Sequence, residues 1–135
     1  VVPAVIRKIY EAKIKKSPTA TFWGDGTSLR EFTFSDDIAA VLLKMTDLVG
    51  GQEYRSSEPC NIGTNEEVSI KTLVDCVKSY FDYSGKIVWD IGKPAGQHRK
   101  PSLSSKIPHK YKSFENGIAT TCEWFEKTYP NVRGI

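Results

Sequence analysis

The sequence predicts an α+β fold of about four helices and a few short strands. Three observations carry that prediction. Apolar residues recur at i, i+3, i+4 spacing in four separate windows. Short apolar runs such as Thr21-Phe22-Trp23 and Ile87-Val88-Trp89 lie between those windows, too brief for helices. Clusters of Gly, Pro, Asp and Ser punctuate the chain between them.

The first window holds Val2, Val5, Ile6, Ile9, Tyr10 and Ile14, with Pro3 tolerated in a first turn and Ser17-Pro18 closing the helix. Lys13, Lys15 and Lys16 read as its solvated face, while Arg7 or Lys8 near its start could reach an anion. Thr21-Phe22-Trp23 forms a strand. The second window has Ser35 as its expected cap, Asp36 and Asp37 in the first turn, and Ile38, Val41, Leu42, Met45 and Leu48 or Val49 as its apolar face. Gly50-Gly51 ends that helix, and residues 52–58 read as a loop. Cys60-Asn61-Ile62-Gly63 is expected as a strand and residues 64–67 as a turn. Ser69 then caps a helix with Ile70, Leu73, Val74, Val77 and Phe81 inward, and residues 86–90 form a strand after a turn at 82–85. Residues 92–106 form a long polar loop of the kind that carries function or moves. Ser113 caps the last helix, which turns Phe114, Ile118, Thr121, Cys122 and Phe125 inward and stops before Pro130.

With 135 residues, 39% apolar and 26% charged, the chain is most simply one domain, large enough to bury a core. No apolar run approaches the ~20 residues of a membrane span, so no membrane partner is expected. A net charge of +3 suits a small anionic ligand and gives little support to nucleic-acid binding. Cys60, Cys76 and Cys122 are odd in number and far apart, and His98 and His109 are isolated. Neither a disulfide framework nor a metal site is expected, and reduced thiols point to a cytoplasmic protein. The opening Val1-Val2-Pro3-Ala4 enters a helical pattern at once, as a piece cut from a longer chain would.

Residues 23–37 organise the rest. Gly24 and Gly26 bracket Asp25, allowing positive φ in a tight turn, and Arg30 follows between Leu29 and Phe32. Two readings fit: a hairpin with a surface arginine, or a clamp in which Trp23 offers an apolar face and Arg30 a bidentate fork for phosphate. No Gly-rich dinucleotide fingerprint, Tyr-x-x-x-Lys or nucleophile–base arrangement is present, so no catalytic residue is assigned.

The motifs fall in a telling order: Val-Val-Pro-Ala, then Trp-Gly-Asp-Gly-Thr-x-x-Arg-Glu-Phe-x-Phe-x-Asp-Asp, then Asn-Ile-Gly-Thr-x-Glu-Glu-Val-Ser-Ile-Lys. Gly-Lys-Ile-Val-Trp-Asp, Lys-Pro-x-Gly-x-x-Arg-Lys and Glu-Trp-Phe follow. Over essentially all its residues the chain resembles the C-terminal part of the GDP-L-fucose synthases (GDP-4-keto-6-deoxy-D-mannose epimerase/reductases), a family of extended short-chain dehydrogenase/reductases. The resemblance implies that residues 1–135 are a substrate-binding lobe that grips a GDP-sugar. An N-terminal Rossmann domain, absent from these residues, would hold NADP and the catalytic groups, and the parent would be a homodimer. Position by position, Lys8, Trp23 and Arg30 match substrate-binding positions, with Lys86, Arg99 and Lys100 as further ligand contacts. The family commonly has Asp where this chain has Ala95, and Leu-Leu-Asp where it has Pro101-Ser102-Leu103. Two alternatives stay open: the substrate lobe of another nucleotide-sugar epimerase or dehydratase, and a free-standing binding module.

Overall fold

A computed structural model describes residues 1–49, 60–100 and 108–132. In chain order the elements are α1 (Val2–Ile14), β1 (Thr19–Trp23), β2 (Leu29–Glu31), α2 (Ser35–Val49), β3 (Glu67–Ser69), α3 (Ile70–Tyr80), β4 (Lys86–Asp90) and α4 (Phe114–Thr128). This is the α+β architecture expected: four helices and a few short strands. The expected loop at 52–58, the Gly50-Gly51 stop and the end of the 92–106 loop fall outside the described residues.

α3 is the central element. It packs against α1 on one side and α4 on the other, and α1 in turn covers β1. Leu73, Val74 and Val77 are completely buried, as their helical spacing requires. Val5, Ile6 and Ile9 of α1 and Ile118, Cys122 and Phe125 of α4 close around them. Tyr10 joins the three helices, its ring centroid lying 5.2 Å from Phe81, 5.5 Å from Phe125 and 5.1 Å from Tyr129. Burial of Cys122 pushes its thiol up to about 12, so it is a packing residue rather than a nucleophile.

Two small sheets flank this core. β1 and β4 run parallel, from Thr19 opposite Lys86 to Trp23 opposite Asp90, and β2 pairs antiparallel with β3. β1 and β2 therefore belong to different sheets, which removes the hairpin reading of residues 23–30. Neither three-residue strand of the second sheet was legible, because residues 29–31 and 67–69 are too short to show an alternation. The turn expected over 64–67 accordingly gives way to strand at Glu67.

Several local expectations change. Cys60-Asn61-Ile62-Gly63 is irregular rather than a strand, since no described strand lies beside it to complete a ladder. Ser35 is the first residue of α2, not its cap. The Phe34 carbonyl accepts from the N–H groups of Asp37 and Ile38, and Ser35 Oγ turns toward Asp36 instead. Among the described side chains of α2, Val41 is fully buried and Ile38 and Met45 are half-buried, whereas Leu42 of the expected apolar face is exposed, as is Leu43 beside it. At the end of α1, Ala12 is buried in place of the exposed Ile14. The caps expected at Ser69 and Ser113 are present, accepting from the N–H groups of Thr72 and Asn116.

Asp37 ties α2 to the segment before α4. Its carboxylate accepts the Lys112 N–H at 2.9 Å and faces His109 Nε2 at 3.1 Å. Burial raises the Asp37 carboxyl, but these hydrogen bonds and charges outweigh it and hold the group below its ordinary value. A lowered carboxyl contributes stability that is present above the ordinary carboxylate range and lost as pH falls through the folded-state value. Asp37→Asn is expected to cost about 1–2 kcal/mol at neutral pH. Urea unfolding between pH 7 and 3 checks this, with the gap between variant and wild type closing as the solution becomes acid.

Candidate functional site: an anion cavity under a polar strap

The turn after β1 is shaped by hydrogen bonds that only its residue types permit. Asp25 Oδ1 accepts from Thr27 N at 3.0 Å and from Thr27 Oγ1 at 2.8 Å, an Asx-type turn that lowers the Asp25 carboxyl. Gly24 and Gly26 on either side take φ of +76° and +77°, as the sequence predicts. The turn then docks on the start of α3. The Gly26 carbonyl accepts the Lys71 N–H at 2.9 Å, and the Ser28 carbonyl accepts that of Ile70 at 3.0 Å. With Ser69 Oγ on Thr72, the exposed donors of this helix start are taken by the chain itself.

Beyond the turn, residues 94–99 cross over as a strap. Leu29 N–H donates to the His98 carbonyl at 2.8 Å, and the buried Ser28 hydroxyl donates to the Ala95 carbonyl at 3.1 Å. Ala95 presses against Gly24, where an added Cβ would stand 2.8 Å from the Ala95 methyl. Sequence reasoning missed Ser28. Its signal would have been a small polar side chain next to a short strand, a feature that has meaning only once the strap is in place.

A cavity of about 300 Å³ opens between α1, the turn and the strap. Lys8 enters it from α1, Trp23 from the end of β1 and Arg30 from β2, and Pro94 and Ala95 form its far wall. Three of the six residues singled out for ligand contact are thus gathered on one cavity. Trp23 is 65% exposed, an indole face open to solvent. Lys8 Nζ rests on the Thr21 carbonyl at 2.7 Å and lies 5.0 Å from the Phe22 ring centroid. Among the described residues, Arg30 donates to its neighbouring Leu29 carbonyl and to no other group. Among the described residues no carboxylate forms an ion pair with Lys8 or Arg30, whereas Arg7, Lys15, Arg99 and Lys127 all have one. Two uncompensated cations beside an exposed indole suit an anionic ligand with a flat or apolar part.

The other three residues lie elsewhere. Lys86 begins β4, opposite Thr19, at the end of the sheet away from Trp23. Arg99 is held by Glu67, Nε and Nη2 lying 2.7 and 2.6 Å from Oε2. Lys100 is exposed and does not line the cavity. A larger cavity of about 380 Å³ lies between α4 and the segment from Glu31 to Ser35. Its walls are aromatic, and its one lysine, Lys112, already sits 4.0 Å over the Phe34 ring. It lacks the paired cations of the first and is the poorer anion site. Among the described residues no cluster of His, Cys, Asp or Glu could hold a metal ion, and no helix is long and apolar enough to cross a membrane.

This geometry has known counterparts. Residues 1–63, which include Lys8, Trp23 and Arg30, match the NAD dependent epimerase/dehydratase family. Over that stretch the chain is similar to members of that family. Within that class it is similar to the GDP-L-fucose synthases. It is 38% identical over 129 residues to probable GDP-L-fucose synthase 1 of Oryza sativa subsp. japonica, covering 93% of this chain and 38% of that protein. A GDP-L-fucose synthetase from Naegleria fowleri superposes with a TM-score of 0.85 at 30% identity, over 98% of this chain and 41% of that one. The same enzyme bound to NADP gives 0.84, again at 30% identity, over 98% and 42%. A GDP-6-OMe-4-keto-L-xylo-heptose reductase from C. jejuni gives 0.79 at 25% identity, over 95% and 48%. The chain spans 38–44% of the length of the curated relatives it most resembles.

The turn makes a sharp prediction. A Cβ on Gly26 would meet the Trp89 ring at 2.7 Å from a backbone that side chains seldom adopt. Gly26→Ala is expected to lower stability by about 1–3 kcal/mol and to shift tryptophan emission. Chemical unfolding followed by fluorescence measures both.

Proposed function

We propose that this chain is the sugar-nucleotide-binding lobe, the C-terminal part, of an NADP-dependent GDP-L-fucose synthase. The parent enzyme would epimerise GDP-4-keto-6-deoxy-D-mannose at C3 and C5 and reduce C4. The observation that carries the reading is the convergence of Lys8, Trp23 and Arg30, from three separate elements, on one cavity where no described acid pairs with either cation. Arg30 supplies a planar, permanently charged fork for the diphosphate, and Lys8 can exchange the Thr21 carbonyl for a phosphate oxygen. Trp23 offers apolar area and an N–H donor to the sugar or base. None of these side chains is placed to move a proton or hydride, so their work is binding and orientation.

In this reading NADP, which would supply the hydride, is not held by the start of α3. The one helix start beside a glycine-bearing turn, that of α3, has its N–H groups filled by Gly26, Ser28 and Ser69. In this reading the dinucleotide and the catalytic groups belong to the remainder of the parent enzyme. A second reading keeps the class and changes the sugar. It is favoured by Ala95, whose methyl group stands at the cavity wall where an acidic residue would bring a polar contact.

Arg30→Ala is expected to weaken GDP binding by about 1.5–3 kcal/mol, roughly ten- to 150-fold. Titration calorimetry with GDP, and with UDP as control, tests this. Equal affinity for the two nucleotides would favour another nucleotide-sugar, and unchanged binding in the variant would remove Arg30 from the site.

A further inference from the structure

Among the described residues, the strap that walls the cavity forms one ion pair. Its backbone bonds reach back to Leu29 and Ser28, and its last described turn is fastened by Arg99 to Glu67 on β3. Glu67 stands directly opposite Glu31 in the β2–β3 register. The hydrogen bond and charge of the Arg99 guanidinium lower the Glu67 carboxyl. The pair is asymmetric in exposure: Glu67 is 17% exposed and Arg99 60%. Glu67 is therefore fixed in the sheet, and Arg99 is the movable arm that carries the strap to it. Between the two ends of the strap, Gly96 passes over the Arg30 guanidinium, where an added Cβ would stand 3.7 Å from Nη2. A loosened strap would uncover Arg30 and remove the Pro94–Ala95 wall together.

We propose that Glu67 is a positioning residue for the anion cavity. By gripping Arg99 it seats the 94–99 strap over Arg30, so that the wall is formed before a nucleotide arrives. The proposal rests on the reading of this cavity as a nucleotide-sugar site, and it assigns Arg99 to holding the wall rather than to touching ligand. Ordering the strap in advance removes an entropic cost from binding.

The test measures two things on the full chain and on Glu67→Gln and Arg99→Ala. One is hydrogen exchange of residues 92–100 without ligand. The other is affinity for GDP from tryptophan quenching. Both variants are expected to speed exchange in the strap while leaving α3 and α4 protected, and to weaken GDP binding about three- to tenfold. Arg99→Ala, altering an exposed side chain, guards against a folding defect in Glu67→Gln. The double variant should be no weaker than either single one, as two halves of one latch require. Unchanged strap exchange in both variants overturns the proposal. So does unchanged GDP affinity where the wild type binds. If wild-type chain fails to bind GDP, the cavity reading falls, and exchange alone then decides whether Glu67 seats the strap.

Discussion

The structure depends on the seating of the turn at residues 24–28 against the start of α3. Two backbone carbonyls, those of Gly26 and Ser28, satisfy two helix N–H groups that would otherwise need water or a ligand. That contact fixes where β2 begins, so it also fixes where Arg30 enters the cavity. It requires backbone that side chains resist at Gly24 and Gly26, and both positions are crowded, by Ala95 and by the Trp89 ring. Positive φ and lack of space coincide there, and glycine answers both.

The two sheets are too small to stand by themselves. A pair of two-stranded ladders gains stability only by packing on helices, and here α1 lies against β1 while α3 continues directly from β3. The consequence is a division of labour. The apolar core around Leu73, Val74 and Val77 supplies stability, and the thin sheets carry the polar side chains to one edge of it. Lys8, Trp23 and Arg30 stand on helix and strand rather than on free loops, which restricts their motion.

Charge follows the same division. Most of the ion pairs of the described residues lie on helix surfaces between residues four apart, as in Arg7–Glu11 and Glu123–Lys127, where water screens them. Glu67–Arg99 and Asp37–His109 instead join segments distant in sequence, and each secures a stretch without regular structure. Among the described residues the two cations of the cavity, Lys8 and Arg30, have no carboxylate partner, and such an arrangement adds little stability.

The sequence by itself determined the helices, the parallel strand pair's members and the glycine turn. Their signals are local: apolar spacing of three and four, serine caps at Ser69 and Ser113, and Gly-Asp-Gly with its Asx bond. It also marked Lys8, Trp23 and Arg30, through motif resemblance and the fitness of indole and guanidinium for a nucleotide-sugar. Only the tertiary structure decided that β1 and β2 lie in separate sheets, that Ser35 does not cap α2, and that Arg99 faces Glu67 while Lys86 stands at the far end of β4. The strap over Arg30, with Ser28 and Ala95 beneath it, is likewise a matter of assembly. Apart from Ser35, whose bonds are local, each of these depends on contacts between residues tens of positions apart, and no local periodicity or cap records which distant segment will lie alongside.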